Sequence, residues 1–159
     1  MKNKSTLNPW FITGLVEGEG CFSISFSFRK KLNVGIETRP SFSISLNQRD
    51  LELLKGVHEF FGCGAIRYSK GDRTYKYESR STAELTRLII PHFQKYPLSG
   101  AKAEDFRIFA DICKKVQANL HMNREQLSGI IDEAYKMNPS GKRKHEKSDL
   151  LRELGKLKV

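Results

Sequence analysis

The apolar period of this chain switches from helical to alternating within a few residues near its start, and few folds accommodate that switch. Leu7, Trp10, Phe11, Gly14, Leu15 and Gly18 recur at three- and four-residue steps, which is one face of a helix. Asn8 or Thr6 can cap it, Pro9 suits its first turn, and Gly20 supplies a stop signal. From Cys21 onward Phe22, Ile24, Phe26 and Phe28 alternate with Ser23, Ser25, Ser27 and Arg29, the pattern of a half-buried strand. Residues 29–40 read as a long basic connection containing Gly35. Phe42, Ile44 and Leu46 then alternate with Ser41, Ser43, Ser45 and Asn47, predicting a second strand antiparallel to the first.

Leu51, Leu54, Val57 and Phe61 predict a helix over 50–61 that stops at Gly62. Residues 65–70 and 74–80 flank Gly71-Asp72 as a strand pair, with Ile66, Tyr68, Tyr75 and Tyr77 on the apolar side. Helices are predicted over 82–96, starting at a Thr82 cap, and over 101–118. Two weaker ones, 124–137 and about 147–157, are separated by the breaker Asn138-Pro139-Ser140-Gly141. The order α-β-β-α-β-β-α plus tail helices predicts an α+β domain with helices on one face of a four-stranded antiparallel sheet. One domain is expected over residues 1–159, with its core at about 5–120 and a helical tail at about 121–159.

Charge narrows the partner. The chain carries 28 Lys+Arg against 18 Asp+Glu, a net charge of +10. Such a surface favours a polyanion through phosphate neutralisation and counterion release, without choosing between DNA, RNA and acidic membrane. No apolar stretch approaches the ~18–20 residues of a membrane span, and no apolar segment follows the N-terminal lysines, so a soluble, unsecreted protein with no membrane partner is expected. A chain this long buries roughly 70% of its unfolded surface and needs no disulfide staple. Cys21, Cys63 and Cys113 are odd in number and lack metal-ligand spacing, and are read as reduced core residues. His58, His92, His121 and His145 do not pair at ligand spacing and are read as surface or hydrogen-bonded groups; Trp10 and Phe11 are expected to fill the core.

The end of the first helix breaks a local rule. Glu17 and Glu19 sit where the backbone dipole is already negative, at a cost of about 0.3–1 kcal/mol each. Gly14 and Gly18 form a stripe that lets another helix backbone approach closely. If that helix belongs to a second copy, a two-fold axis brings two Glu19 carboxylates together. At ~6 Å and an effective dielectric of 20 they repel by about 3 kcal/mol, and a hard divalent cation turns the repulsion into coordination.

The segment Ile12-Thr13-Gly14-Leu15-Val16-Glu17-Gly18-Glu19-Gly20 resembles the signature helix of the LAGLIDADG homing endonucleases. Gly14, Leu15, Gly18, Glu19 and Gly20 carry the match, and Cys21-Phe22-Ser23-Ile24 is similar to the strand that follows in that family. The resemblance implies an αββαββα saddle and divalent-metal cleavage of both DNA strands. With a single motif it further implies a homodimer whose motif helices pack through Phe11, Gly14, Leu15 and Gly18 and whose target is near-palindromic. It implies Glu19 and the Gly18 carbonyl as Mg²⁺ ligands, with Mn²⁺ as a substitute and Ca²⁺ supporting binding only. Gln48 matches the family's solvent-organising polar residue, with Asn47 and Arg49 as rivals in register. Lys102 matches its basic residue near the site, with Lys95 as rival. Glu17 is expected to point away from Glu19 and to cap or form a salt bridge.

The polar side of the strands is a candidate DNA surface: Ser23, Ser25, Ser27, Arg29, Ser41, Ser43, Ser45, Asn47, Arg67, Ser69, Lys76, Glu78 and Arg80. Lys30, Lys31, Arg39, Lys70 and Arg73 in and beside the connections extend it. Short hydroxyls allow close approach to base edges, and Arg and Lys contact guanine and phosphate. Lys142-Arg143-Lys144-His145 is either a loop on the DNA backbone or a solvated one. The leading reading is a site-specific endonuclease of intron mobility. An RNA-binding group I intron maturase and a non-cleaving DNA-binding regulator are the alternatives. The family context implies an intracellular protein, organelle-encoded in a mitochondrion or chloroplast, or in bacterial cytoplasm.

Overall fold

The computed structural model describes residues 6–156. Helix α1 (Pro9–Glu19) starts where the Asn8 side chain accepts a hydrogen bond from Trp10 N at 2.8 Å, with Pro9 in the first turn. It buries Ile12, Thr13 and Val16 and turns Phe11, Gly14 and Gly18 outward. Strand β1 (Gly20–Phe28) follows with no intervening loop. The helix stops at Gly20 as the pattern predicts, and Gly20 itself is extended, with φ −84°. A Cβ there would lie 2.9 Å from the backbone of Val16, and this close approach is what calls for glycine.

Strand β2 (Ile36–Asn47) pairs with β1 over nine positions, from Gly20↔Ile44 to Phe28↔Ile36. The predicted connection over 29–40 is therefore shorter, closed by Arg29 N to Gly35 O at 2.8 Å, and Pro40 lies inside the strand. Pro40 is tolerated because β2 meets β4 only from Phe42 onward, so at residue 40 it has one neighbouring strand. A turn at Gln48–Asp50 leads into α2 (Leu51–Phe61), which ends at left-handed Gly62. Strands β3 (Ala65–Ser69) and β4 (Thr74–Ser79) complete an antiparallel sheet of order β1-β2-β4-β3.

The helix predicted over 82–96 is three pieces: α3 (Thr82–Glu84), a π-helical turn (Leu85–Ile89) and α4 (Ile90–Lys95). Its cap is Ser81, whose side chain accepts from Glu84 N, and not Thr82. The wide turn sits next to Pro91, which has no N–H to continue the α-helical ladder. Helices α5 (Lys102–Gln117), α6 (Arg124–Ala134) and α7 (Lys147–Lys156) follow; the predicted last residue of the tail helix, Leu157, lies outside the described residues.

The helices cover one face of the sheet. Phe22 meets Phe42, Phe93, Phe106 and Phe109 at ring separations of 5.1–5.3 Å, and Leu127, Ile130, Leu150 and Leu154 of α6 and α7 belong to the same buried cluster. Two core expectations are corrected. Trp10 and Phe11 are 56% and 45% exposed, Trp10 packing edge-on against Tyr96, and Cys21 is exposed because its position in β1 faces away from the helices. His92 is buried. The hydroxyl of Thr13 donates to Tyr96 O at 2.8 Å, so His92 Nε2 is the donor in its 3.2 Å contact with Thr13 Oγ1. Burial pushes its pKa down to about 4.

Residues 138–145 form a strap along the free edge of β1. Asn138 Nδ2 donates to Phe22 O at 2.8 Å and Arg143 Nη1 to Ile24 O at 2.9 Å. Arg143 also donates to Ala134 O and lies 4.3 Å over the Tyr135 ring. Unpaired strand carbonyls are thereby satisfied and the edge is closed to other strands.

Candidate active site and nucleic-acid interface

The helix end that looked uncompensated in sequence is repaired from α5. Lys102 Nζ donates to Val16 O at 2.7 Å and to Glu17 O at 3.0 Å, setting a positive charge on the last carbonyls of α1. Glu17 Oε2 in return accepts from Gly100 N at 2.9 Å and Ser99 N at 3.3 Å. Glu17 thus ties down the loop that leads into α5 without capping a helix, and Lys102 lies against the end of α1 with its ammonium engaged. Glu19 differs: it is exposed and has no hydrogen-bond or ion-pair partner among the described residues.

A free carboxylate followed by a strand and preceded by the Gly18 carbonyl is a hard-oxygen donor set suited to a divalent cation. Among the described residues no three His, Cys, Asp or Glu side chains converge. Gln48 is held elsewhere: its Oε1 accepts from Tyr68 Oη at 3.1 Å and its N–H donates to Arg73 O at 2.9 Å. Its rival Asn47 caps the turn through Arg49 N at 3.0 Å, while Arg49 is exposed. No contact among the described residues joins Gln48 to Glu19 or Lys102. Lys95 lies over the Tyr96 ring at 5.5 Å and not on the end of α1.

The open face of the sheet collects most of the predicted DNA residues. The register sets Ser23 opposite Ser41, Ser25 opposite Arg39, Ser45 opposite Lys76, and Arg67 opposite Lys76, with Asn47 and Ser69 flanking Thr74. Lys30 and Lys31 stand exposed in the β1–β2 turn, Lys70 and Arg73 in the β3–β4 turn, and Arg80 just beyond β4. Ser41 and Ser43 are 9% and 8% exposed, so neighbouring side chains cover them, and the hydroxyl of Ser41 is already given to Glu78 at 2.8 Å.

Pattern reading missed Glu37, which bridges Arg29 and Arg39 with contacts of 2.9 Å to each. Carrying the period of two back from Ser41 to Ile36 would have found it. These guanidinium hydrogen bonds hold its carboxyl below the usual carboxylate range. Burial pushes Glu78 up, but Ser41 and Lys76, with Arg80 beyond them, outweigh it and the net direction is down. Beside β1 the strap bounds a groove of about 720 Å³ lined by Cys21, Ser23, Ser25, Ser140, Lys142 and Lys144. Lys142 and Lys144 are exposed there, whereas Arg143 is turned inward.

The structure is an α+β domain in which a helix ends in an exposed carboxylate at the start of an antiparallel sheet whose open face is cationic and rich in hydroxyls. The family model described as LAGLIDADG endonuclease matches residues 12–113, and the chain belongs to that family. A Neurospora crassa protein named "Probable intron-encoded endonuclease 3" is 34% identical over 83% of this chain, which spans 25% of that protein's length. The crystal structure of the homing endonuclease I-TnaI superposes with a TM-score of 0.82 at 30% identity, covering 96% of this chain and 99% of that one. I-SmaMI bound to cleaved DNA superposes with a TM-score of 0.84 at 27% identity, covering 97% of this chain and 50% of that one. Among the described residues no helix is long and apolar enough to cross a membrane.

Proposed function

We propose that two copies of this chain form a site-specific, Mg²⁺-dependent DNA endonuclease that cleaves both strands of a long near-palindromic target. The observation that carries the reading is Glu19, the unpartnered carboxylate at the end of α1 beside the open sheet face. Coverage of a whole I-TnaI chain, and of half an I-SmaMI chain, supports a unit that works as a pair. The outward stripe of Phe11, Gly14 and Gly18, with half-buried Leu15, is the face on which the second α1 would pack. The Neurospora crassa and Mycosarcoma maydis relatives named as intron-encoded support an intron-mobility role.

The donor set fits the metal. Glu19 and the Gly18 carbonyl would hold it, and the chemistry it supplies there is acidification of a water and stabilisation of the leaving 3′ oxygen. The chain's residues do the rest. Lys102 and Glu17 lock the end of α1 to the start of α5, which fixes where Glu19 projects. The Lys102 charge also lowers the electrostatic cost of bringing phosphate to this end. Gln48 would organise solvent through its side-chain Nε2, since its Oε1 is held by Tyr68. Open-face side chains orient the duplex through base edges, and the turn lysines through phosphates.

The test is cleavage of a plasmid library with randomised near-palindromic inserts, in Mg²⁺ and in Ca²⁺, by wild type and Glu19→Gln. Double-strand cutting in Mg²⁺, lost in the variant while binding in Ca²⁺ persists, is the expected result. A variant that cuts at the wild-type rate overturns the metal site. Binding without cutting by the wild type overturns the nuclease reading.

A further inference from the structure

Two carboxylates are built into a face whose excess charge is positive, and each is the hub of its own cluster. Glu37 holds Arg29 and Arg39 at 2.9 Å and takes a longer 3.5 Å contact from Ser27. Glu78 holds Arg80 at 2.8 Å and Lys76 at 3.2 Å and accepts from Ser41 at 2.8 Å. The carboxylate side chains are only 23% and 11% exposed, whereas the four cations are 45–54% exposed. The acids are therefore sunk in the sheet surface and their cations stand above them.

That arrangement changes what the cations can do. A free lysine or arginine neutralises any phosphate it reaches, which adds affinity without discrimination. A guanidinium with one nitrogen held by a carboxylate, as Arg29 Nη1, Arg39 Nη2 and Arg80 Nε are here, is narrowed in pose and keeps its remaining N–H groups for guanine O6 and N7. The carboxylate's spare lone pairs accept from cytosine N4 and repel phosphate. Glu37 and Ser43, the partner of Glu78, are six residues apart on β2. At ~3.3 Å per residue that is roughly 20 Å, about six base-pair steps, so the two hubs meet separate parts of a half-site.

We propose that Glu37 and Glu78 are specificity-determining residues of the sheet, which restrain paired cations from indiscriminate phosphate binding and hold them for base edges. The inference rests on the DNA reading above. The experiment measures binding in Ca²⁺, without cleavage, for Glu37→Gln, Glu78→Gln and the control Glu52→Gln. The control breaks an exposed Glu52–Lys55 pair on α2 with the same change in charge. The probes are a 30-base-pair duplex of random sequence, titrated with salt, and a pool of duplexes with randomised centres taken through rounds of selection.

Each hub variant is expected to bind the random duplex several-fold tighter than the control at low salt. Its log Kd against log salt slope should steepen by about one per cation released. The selected consensus should blur over one segment of each half-site, a different segment for each hub. Glu37→Asp keeps the charge and folds as a conservative change; it should leave the salt slope at the wild-type value. Random-duplex affinity and slope equal to the control in both hub variants, or an undiminished consensus in both, overturns the inference. A wild type that binds neither probe removes the DNA reading itself, an outcome distinct from a wild type that binds and hub variants that match it.

Discussion

On the helix-covered face of the sheet Phe22 is enclosed by four other phenylalanine rings, while one residue further on Ser23 looks out over an open polar surface. Both faces come from one alternating strand, but different requirements fix them. The covered face must exclude water and fill space, so its residues are constrained by each other. The open face is held by local hubs such as Glu37 and Glu78, whose cations remain half exposed, so its residues answer to whatever the sheet binds. On the proposed reading, stability is concentrated on one side of the strand and recognition on the other.

The sharpest way to break that comparison is to empty each face in turn. Phe22→Ala is expected to cost about 3–5 kcal/mol, the range for a buried aromatic truncated in a packed core. Ser25→Ala, three residues away and exposed, should fall within about 0.5 kcal/mol of wild type. Urea unfolding of both variants gives the two numbers, and comparable losses would mean that the open face is part of the core after all. Next in size is the strap. Arg143→Met removes donors from Ile24 O and Ala134 O and the contact with Tyr135, and losing such charge-assisted bonds should cost about 2 kcal/mol by the same measurement. No loss would make the strap a passive loop.

These effects track what could be read from residues alone. The covered face was legible, because Phe22, Ile24, Phe42 and Ile44 alternate without interruption, and so was the end of α1, because Gly18-Glu19-Gly20 is a local motif. The start of β2 was not, since Glu37, Thr38, Arg39 and Pro40 look like a loop until the pairing with β1 is known. Pairing is a long-range fact, and the same is true of Lys102, whose contacts lie 85 and 86 residues back in the chain. The exposure of Trp10 and Cys21 was missed because helical and alternating periods mark an apolar side without saying how far the core extends. The engagement of Gln48 by Tyr68 depends on β3 lying one strand beyond β4 from the end of β2, which no local pattern records.

His92 gives an effect confined to a defined pH window. Its pKa is near 4 in the fold, against about 6.5 for an unperturbed imidazole. Between those values the unfolded chain takes up a proton that the fold refuses, so the histidine's contribution to stability falls as pH drops from about 6.5 towards 4. The urea midpoint of wild type should therefore decline more between pH 7 and pH 4.5 than that of His92→Gln. Parallel declines would show that His92 is solvated and charges freely.

The smallest expected change in stability bears on the other face of α1. Gly14 lies in mid-helix, and a Cβ added there would meet nothing within 4 Å in the single chain. Alanine is favoured over glycine in a helix interior by about 1 kcal/mol, so Gly14→Ala should leave the isolated chain as stable as wild type or up to that much more so. The same methyl group sits on the stripe proposed to meet a second α1, where close backbone approach depends on having no side chain. Assembly should therefore weaken while folding does not, read as a rise in the dimer dissociation constant by sedimentation alongside an unchanged or higher urea midpoint under monomeric conditions. Unweakened assembly would move the two-fold contact off this stripe, and a lowered monomer midpoint would mean that the outward face of α1 is packed within one chain.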